Sequence, residues 1–151
     1  MNKAKKGRFT PSNPDKYKGN VKNIIYRSSW ELKLMVRFDI DPNILEWGSE
    51  TIVIRYYSSV DKKVRRYFPD FIVKYRNKSD EIVVDLIEVK PYHETIEPVP
   101  KKGKRKVILL KELLTYRKNT DKWKYANEYC TKHGINFKIM TEYELGIKKR
   151  I

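Results

Sequence analysis

The sequence predicts an α/β fold, a mixed β-sheet flanked by helices, and three features of its pattern predict it. A helix signature spans residues 28–41. Three runs rich in β-branched and aromatic residues follow, at 51–57, 65–75 and 81–90, separated by short polar turns. A helical stretch then leads to one more such run at 135–140, and a strand reached through a helical crossover usually returns parallel to its partner. Antiparallel neighbours plus one parallel return make a mixed sheet, and helices packed on it complete the sandwich.

Taken in order, residues 1–22 contain Gly7, Pro11, Pro14 and Gly19 and no periodic apolar pattern, so they predict an irregular basic arm ahead of a single domain over 23–151. Ser28, Ser29, Trp30 and Glu31 form a capping box, and Leu32, Met35 and Val36 continue an apolar stripe. The helix should stop near Asp41, because the residue before Pro42 is disfavoured in helical conformation. The runs at 65–75 and 81–90 are joined by residues 76–80, short enough for a hairpin, and with 51–57 they predict a three-stranded antiparallel meander. Beyond Pro91, prolines 98 and 100 and the cluster Lys101, Lys102, Lys104, Arg105 and Lys106 predict a mobile basic loop. A helix over about 106–118 would place Val107, Leu110, Leu113 and Leu114 on one face. A second helix would be capped at Asn119 or Thr120, carry Trp123, Ala126, Asn127 and Cys130 at helical spacing, and end at Gly134. A short helical turn closes the chain, with no internal repeat and no second domain.

The chain has 151 residues, enough for one domain with a sizeable core, and three Trp, five Phe and eleven Tyr argue for a globule rather than a disordered tail. No apolar run approaches the ~20 residues of a membrane span, and the first residues lack the apolar stretch of a signal peptide, so a cytosolic protein is expected. A single Cys130 excludes an internal disulfide and a cysteine-based zinc site. The net charge of +15 is unevenly spread: +7 over residues 1–27, −2 over 28–99 and +10 over 100–151. Basic ends around a near-neutral centre suit a polyanion gripped at the margins, whereas a merely solvating surface would intersperse its charges.

The chemistry concentrates in two stretches. Asp70 follows Pro69 at the head of an apolar run, and Glu88 and Lys90 interrupt another. Alternate strand positions share a face, so Glu88 and Lys90 point the same way, roughly 6.6 Å apart along the backbone. A hairpin closed around residues 76–80 pairs Asp70 with a position near 86–88, within ligand reach of Glu88. Two carboxylates converging beside apolar strands raise each other's pKa unless a cation intervenes, and Mg²⁺, a hard oxygen-seeking ion, suits such a pair. Mn²⁺ is equally compatible. Lys90 would then orient or deprotonate water and offset charge on a phosphate. Glu31 either closes the capping box alone or also reaches the metal. The same residues also fit a structural reading, with Glu88 and Lys90 as an exposed pair and Asp70 as a turn residue.

The segment Tyr67, Phe68, Pro69, Asp70, Phe71, Ile72, Val73, followed by Leu86, Ile87, Glu88, Val89, Lys90, resembles the PD-(D/E)xK nuclease core, in the variety found in the endonuclease subunit of cut-and-paste transposition systems. Over nearly the whole chain, residues 9–20, 24–31, 67–73, 87–91, 122–130 and 139–145 resemble the head-completion nucleases of contractile-tailed bacteriophages. The resemblance implies a restriction-endonuclease-like fold and a Mg²⁺-dependent DNA endonuclease. It further implies Asp70, Glu88 and the Val89 carbonyl as metal ligands, Lys90 at the attacking water and Glu31 as the helical acid. DNA and phage head or neck proteins are the implied partners, and the host cytoplasm during assembly, or the virion, the implied location. The rival from another class is a structural neck or DNA-binding protein that keeps the fold and cuts nothing. A basic RNA-binding module is a third reading. Arg65, Arg66 and the basic cluster Lys101, Lys102, Lys104, Arg105 and Lys106 are the candidate DNA-binding residues. His93 and His133 are weaker candidates, the latter placed to serve a helix C-terminus.

Overall fold

The computed structural model describes residues 6–150; residues 1–5 of the expected arm, and Ile151, lie outside them. In chain order the elements are β1 (Gly7–Phe9), β2 (Ile24–Tyr26), α1 (Ser29–Ile40), β3 (Ile44–Ser49), β4 (Ile54–Ser58), β5 (Lys63–Tyr67), β6 (Phe71–Arg76), β7 (Ile82–Val89), α2 (Lys106–His133) and β8 (Asn136–Met140). The central sheet has the order β3-β6-β7-β8, antiparallel except for the last pair, which is parallel across the α2 crossover. This is the mixed sheet the sequence predicts, and its fold is restriction-endonuclease-like. Two small antiparallel ribbons, β1-β2 and β4-β5, flank it.

The two faces of the sheet carry separate cores. Phe71, Val73, Ile87 and Val89 pack with Leu34, Met35 and Phe38 of α1 and with Trp47 of β3. Leu86 packs on the other side with Trp123, Ala126 and Cys130 of α2 and with Ile54, Tyr56 and Tyr67 of the β4-β5 ribbon. The alternation of strand side chains divides them this way, odd numbers toward α1 on β6 and β7 and even numbers toward α2. Ser28 caps α1 by accepting a hydrogen bond from the Glu31 N–H (3.1 Å). Gly134, with φ of 67°, ends α2 in the left-handed conformation that costs glycine least.

Four expectations are corrected. The strand expected over 65–75 is two strands in two sheets: Pro69 has no N–H to give a ladder, so β5 stops before it and β6 starts after it. The expected meander is therefore a ribbon followed by a hairpin. Strand β3 was not expected at all, and it, rather than 51–57, lies beside β6. The two expected helices are one of 28 residues. Asn119 is buried within it, and the Thr120 hydroxyl donates back to the Arg117 carbonyl (2.9 Å) instead of capping a new helix. Its first half does not bury the expected face, since Val107, Leu110 and Leu114 stay exposed.

The arm is also more ordered than its composition implies. Phe9 and Tyr17 are core residues, and the Tyr17 ring meets Trp47 edge-on at 4.7 Å. The backbone N–H groups of Ser12 and Asn13 both donate to the Asp39 carboxylate (2.8 Å each). Lys16 Nζ donates to the Asp41 carbonyl (2.7 Å) and to that of Asp39 (3.1 Å), giving the orphan carbonyls at the end of α1 a cationic partner. The basic loop is likewise fastened: the Tyr92 N–H donates to Glu142 (2.7 Å), and Lys104 pairs with Glu112 (2.8 Å).

Because the arm fills the α1-side core, Tyr17→Ala is expected to lower stability by about 3 kcal/mol, the cost of truncating a buried aromatic. Urea unfolding measures it as a drop in midpoint at constant slope. A detached arm would give a change within about 0.5 kcal/mol.

Candidate active site

The β6-β7 hairpin places the two acids. Its turn is fixed by Asn77, whose side-chain oxygen accepts the N–H groups of Ser79 (3.0 Å) and Glu81 (2.9 Å). The resulting register pairs Phe71 with Ile87 and Ile72 with Leu86. One step further along the same register, Asp70 stands opposite Glu88. Both share the parity of Ile72 and Leu86 and so face α2. Asp70 Oδ2 accepts the Val89 N–H at 2.7 Å, which ties the acid to the neighbouring strand. Its other oxygen has no hydrogen-bond donor among the described residues.

Glu88 is 7% exposed, and its Oε1 accepts a hydrogen bond from the Tyr67 hydroxyl at 2.7 Å. Lys90 Nζ lies 3.8 Å from the other carboxylate oxygen. The backbone N–H of Lys90 donates to the Met140 carbonyl (3.0 Å), holding the end of β7 against β8. Glu31 is 6% exposed at the start of α1. Its carboxylate accepts the Ser28 hydroxyl (3.2 Å) and the Arg27 N–H (3.5 Å), so it does serve the cap.

The electrostatics show that these acids share one space. Burial raises the Asp70 pKa well above the usual carboxylate range, and the Glu88 charge raises it further; the Val89 N–H and Lys90 oppose this, while Glu31 adds to it. Burial likewise raises Glu88, against the Tyr67 hydrogen bond and the charges of Lys90 and Lys122, with Glu31 again pushing up. Glu31 is raised mainly by burial. Asp70, Glu88, Glu31 and Lys90 are thus brought together.

Two members of the site were not read from the sequence. Tyr67 supplies the hydroxyl that orients Glu88, and burial followed by the Glu88 charge raises its own pKa. Lys122 of α2 lies over the Tyr67 ring, 5.6 Å from its centroid, and burial lowers its pKa despite the Glu88 charge. Its signal was present: Lys122, Ala126 and Cys130 are spaced i, i+4, i+8, so the lysine stands on the buried face of its helix.

The expected DNA contacts fall elsewhere. Arg65 pairs with Asp61, and Arg66 lies over the Phe68 ring at 5.9 Å. No ion pair links either arginine to Asp70 among the described residues. Lys101, Lys102, Arg105 and Lys106 are exposed, whereas Lys104 is held by Glu112. His93 is exposed in a 3-10 turn at Tyr92–Glu94, and His133, in the last turn of α2, contacts the Tyr129 carbonyl at 2.8 Å.

A half-buried aspartate entering one strand, an acid-x-lysine triplet ending its antiparallel neighbour and an acidic helix start define a PD-(D/E)xK endonuclease. A family model described as TnsA-like endonuclease N terminal matches residues 41–142, and the chain belongs to that family. The match includes Asp70, Glu88, Lys90 and Lys122. The chain is also 40% identical over 142 residues to the head completion nuclease of Enterobacteria phage T4, which covers 92% of each protein. Nucleases of this type use divalent metals. Among the described residues no three His, Cys, Asp or Glu side chains form a ready-made metal cluster. Two carboxylates nevertheless fit a hard cation, since such ions commonly take only one or two protein carboxylates and complete their shell with waters and phosphate oxygens. The mutual repulsion the acid pair would feel when both are ionised is what such a cation would offset.

Crowding of the acids predicts a pH signature in the metal-free protein. Folded-state carboxyls with raised pKa bind protons more tightly than the unfolded chain, so their contribution to stability is lost as pH rises from about 4 through the folded values. Asp70→Asn removes one charge and keeps an oxygen for Val89. In EDTA it is expected to raise Tm by about 2–4 °C per ~1 kcal/mol of relieved repulsion, more at pH 8 than at pH 5. A Tm equal to or below wild type at both pH values would contradict the crowding.

Proposed function

We propose that the protein is a Mg²⁺-dependent DNA endonuclease that acts in phage head completion, with Mn²⁺ able to substitute. The observation that carries this reading is the placement of Asp70 and Glu88 on one face at the end of β6-β7, with Glu88 buried and its charge raising the proton affinity of Asp70. Asp70, Glu88 and the Val89 carbonyl are the residues to hold the metal, with Glu31 at its margin. When bound, the ion would supply Lewis acidity to a water and to the leaving oxygen.

The chain's own groups do the positioning. Tyr67 fixes the Glu88 carboxylate by donating to Oε1, leaving Oε2 toward Lys90. Lys90 orients the attacking water by donating a hydrogen bond to it, and its charge offsets that building on the phosphate. The Lys122 ammonium, half-buried on the opposite wall, offsets negative charge on the phosphate. Lys101, Lys102, Arg105 and Lys106 hold the backbone at a distance from the site, contacts that position DNA without reading bases. Residues 23–151 act as one nuclease domain, with the arm docked on it. The role in head completion is drawn from the phage relative, and with it come head or neck proteins as partners and the host cytoplasm or the virion as the location.

Supercoiled plasmid nicking tests the reading. Wild type with Mg²⁺ should nick, EDTA should abolish the activity, and Asp70→Asn and Glu88→Gln should each reduce it by at least about 10³-fold. Lys90→Ala is expected to cost about 10²–10³-fold. Clean wild type that nicks nothing with either Mg²⁺ or Mn²⁺ would favour the structural neck protein instead.

A further inference from the structure

The β4-β5 ribbon has an inner face that serves the site and an outer face with no assigned role. On the inner face Ile54, Tyr56 and Tyr67 are buried against α2, and Tyr67 reaches Glu88. The outer face carries Arg55, Tyr57, Val64, Arg66 and Phe68, all exposed. Arg55 and Arg66 are direct cross-strand partners. Like charges placed opposite one another destabilise a ladder, and neither guanidinium has an ion pair or hydrogen bond among the described residues. Arg66 lies over the Phe68 ring at 5.9 Å. Together with Arg65 and Val64 these side chains line an open groove.

One residue lining the groove is close along the chain to the candidate metal ligand Asp70. Phe68 is two residues before Asp70, so their Cα atoms are at most about 7 Å apart. Unpaired arginines beside an exposed aromatic ring make the combination that holds single strands: cations for the phosphates and a flat face for a base. A paired duplex keeps the faces of its bases stacked on each other, so a ring at this position has a partner only where a base is unpaired.

We propose that the outer face of β4-β5 is a subsite for an unpaired DNA nucleotide next to the scissile bond, with Phe68 stacking on the base and Arg55 and Arg66 holding the flanking phosphates. The inference rests on the DNA-hydrolysis reading and adds to it a substrate class: DNA with an unpaired base at a gap, frayed end or branch. Phe68 sets the preference, and the arginines supply affinity for either form of DNA.

Binding by the Asp70→Asn protein in EDTA tests this without cleavage, using oligonucleotides that carry one 2-aminopurine either within a duplex or in a short gap. The gapped DNA should bind about tenfold more tightly than the duplex, with quenched 2-aminopurine fluorescence. Adding Phe68→Leu should bring the two affinities within about twofold and remove the quenching, while adding Phe68→Trp should keep both. Adding Arg55→Gln and Arg66→Gln should weaken both forms and lower the salt slope by about 2. Equal affinity for the two DNAs in the parent, or a preference that survives Phe68→Leu, would overturn the subsite. If wild type nicks no plasmid yet the Phe68-dependent preference is present, the hydrolysis reading fails and the subsite stands.

Discussion

Asp70 and Glu88 are held together against their own repulsion, and the rest of the structure is arranged around that constraint. Two carboxyls, one buried and one half-buried, at the end of one hairpin would separate or stay protonated unless something fixed both. The Val89 N–H fixes Asp70, and the Tyr67 hydroxyl fixes Glu88. The Val89 donor comes from the strand beside Asp70 in the central sheet, and the Tyr67 donor comes from the separate β4-β5 ribbon, so both carboxylates are positioned by neighbouring elements. Carboxylates crowded in this way destabilise the metal-free protein, and a divalent ion would relieve that cost.

Each neighbouring element adds one part. Pro69 separates the ribbon from the central sheet, so within three residues the chain supplies both Tyr67, which donates to Glu88, and Asp70. Helix α1 delivers Glu31 with its cap, and helix α2 delivers Lys122 with the apolar face that seals the sheet. The parallel pairing of β8 holds the end of β7, where Lys90 emerges. Positive charge is thus kept near the acids by residues from separate elements, while most of the basic surplus lies farther out, where a polyanion would first meet the protein.

The site was largely legible in the sequence because hairpin register is arithmetic. A turn centred near residue 78 and strands of period two place residue 70 opposite 86–88 and on one face with Glu88; the observed register is centred on residue 79, which puts 88 opposite 70. The capping box was legible for a similar reason, being a local pattern with a fixed spacing. What was missed depends on distant partners. Strand β3 is short, contains Gly48 and carries a register shift near Glu46, and it is a strand because β6 offers it an edge. The long α2 overrode two residues that favour caps, since tertiary packing at Trp123 and Ala126 outweighs a local preference. Tyr67 looked like one more aromatic residue in a strand, and only the fold shows its hydroxyl to be committed to an acid. The arm is rich in proline and glycine, yet it supplies Phe9 and Tyr17 to the core, a role that composition does not encode.

The central claim is that these two acids share one divalent ion. Anomalous diffraction from crystals soaked in Mn²⁺, collected at the manganese edge, addresses it directly. The account predicts a peak about 2.1–2.2 Å from an oxygen of Asp70 and from an oxygen of Glu88, lost in crystals of Asp70→Asn. A peak bound to neither carboxylate, or one that persists unchanged in that variant, would contradict it.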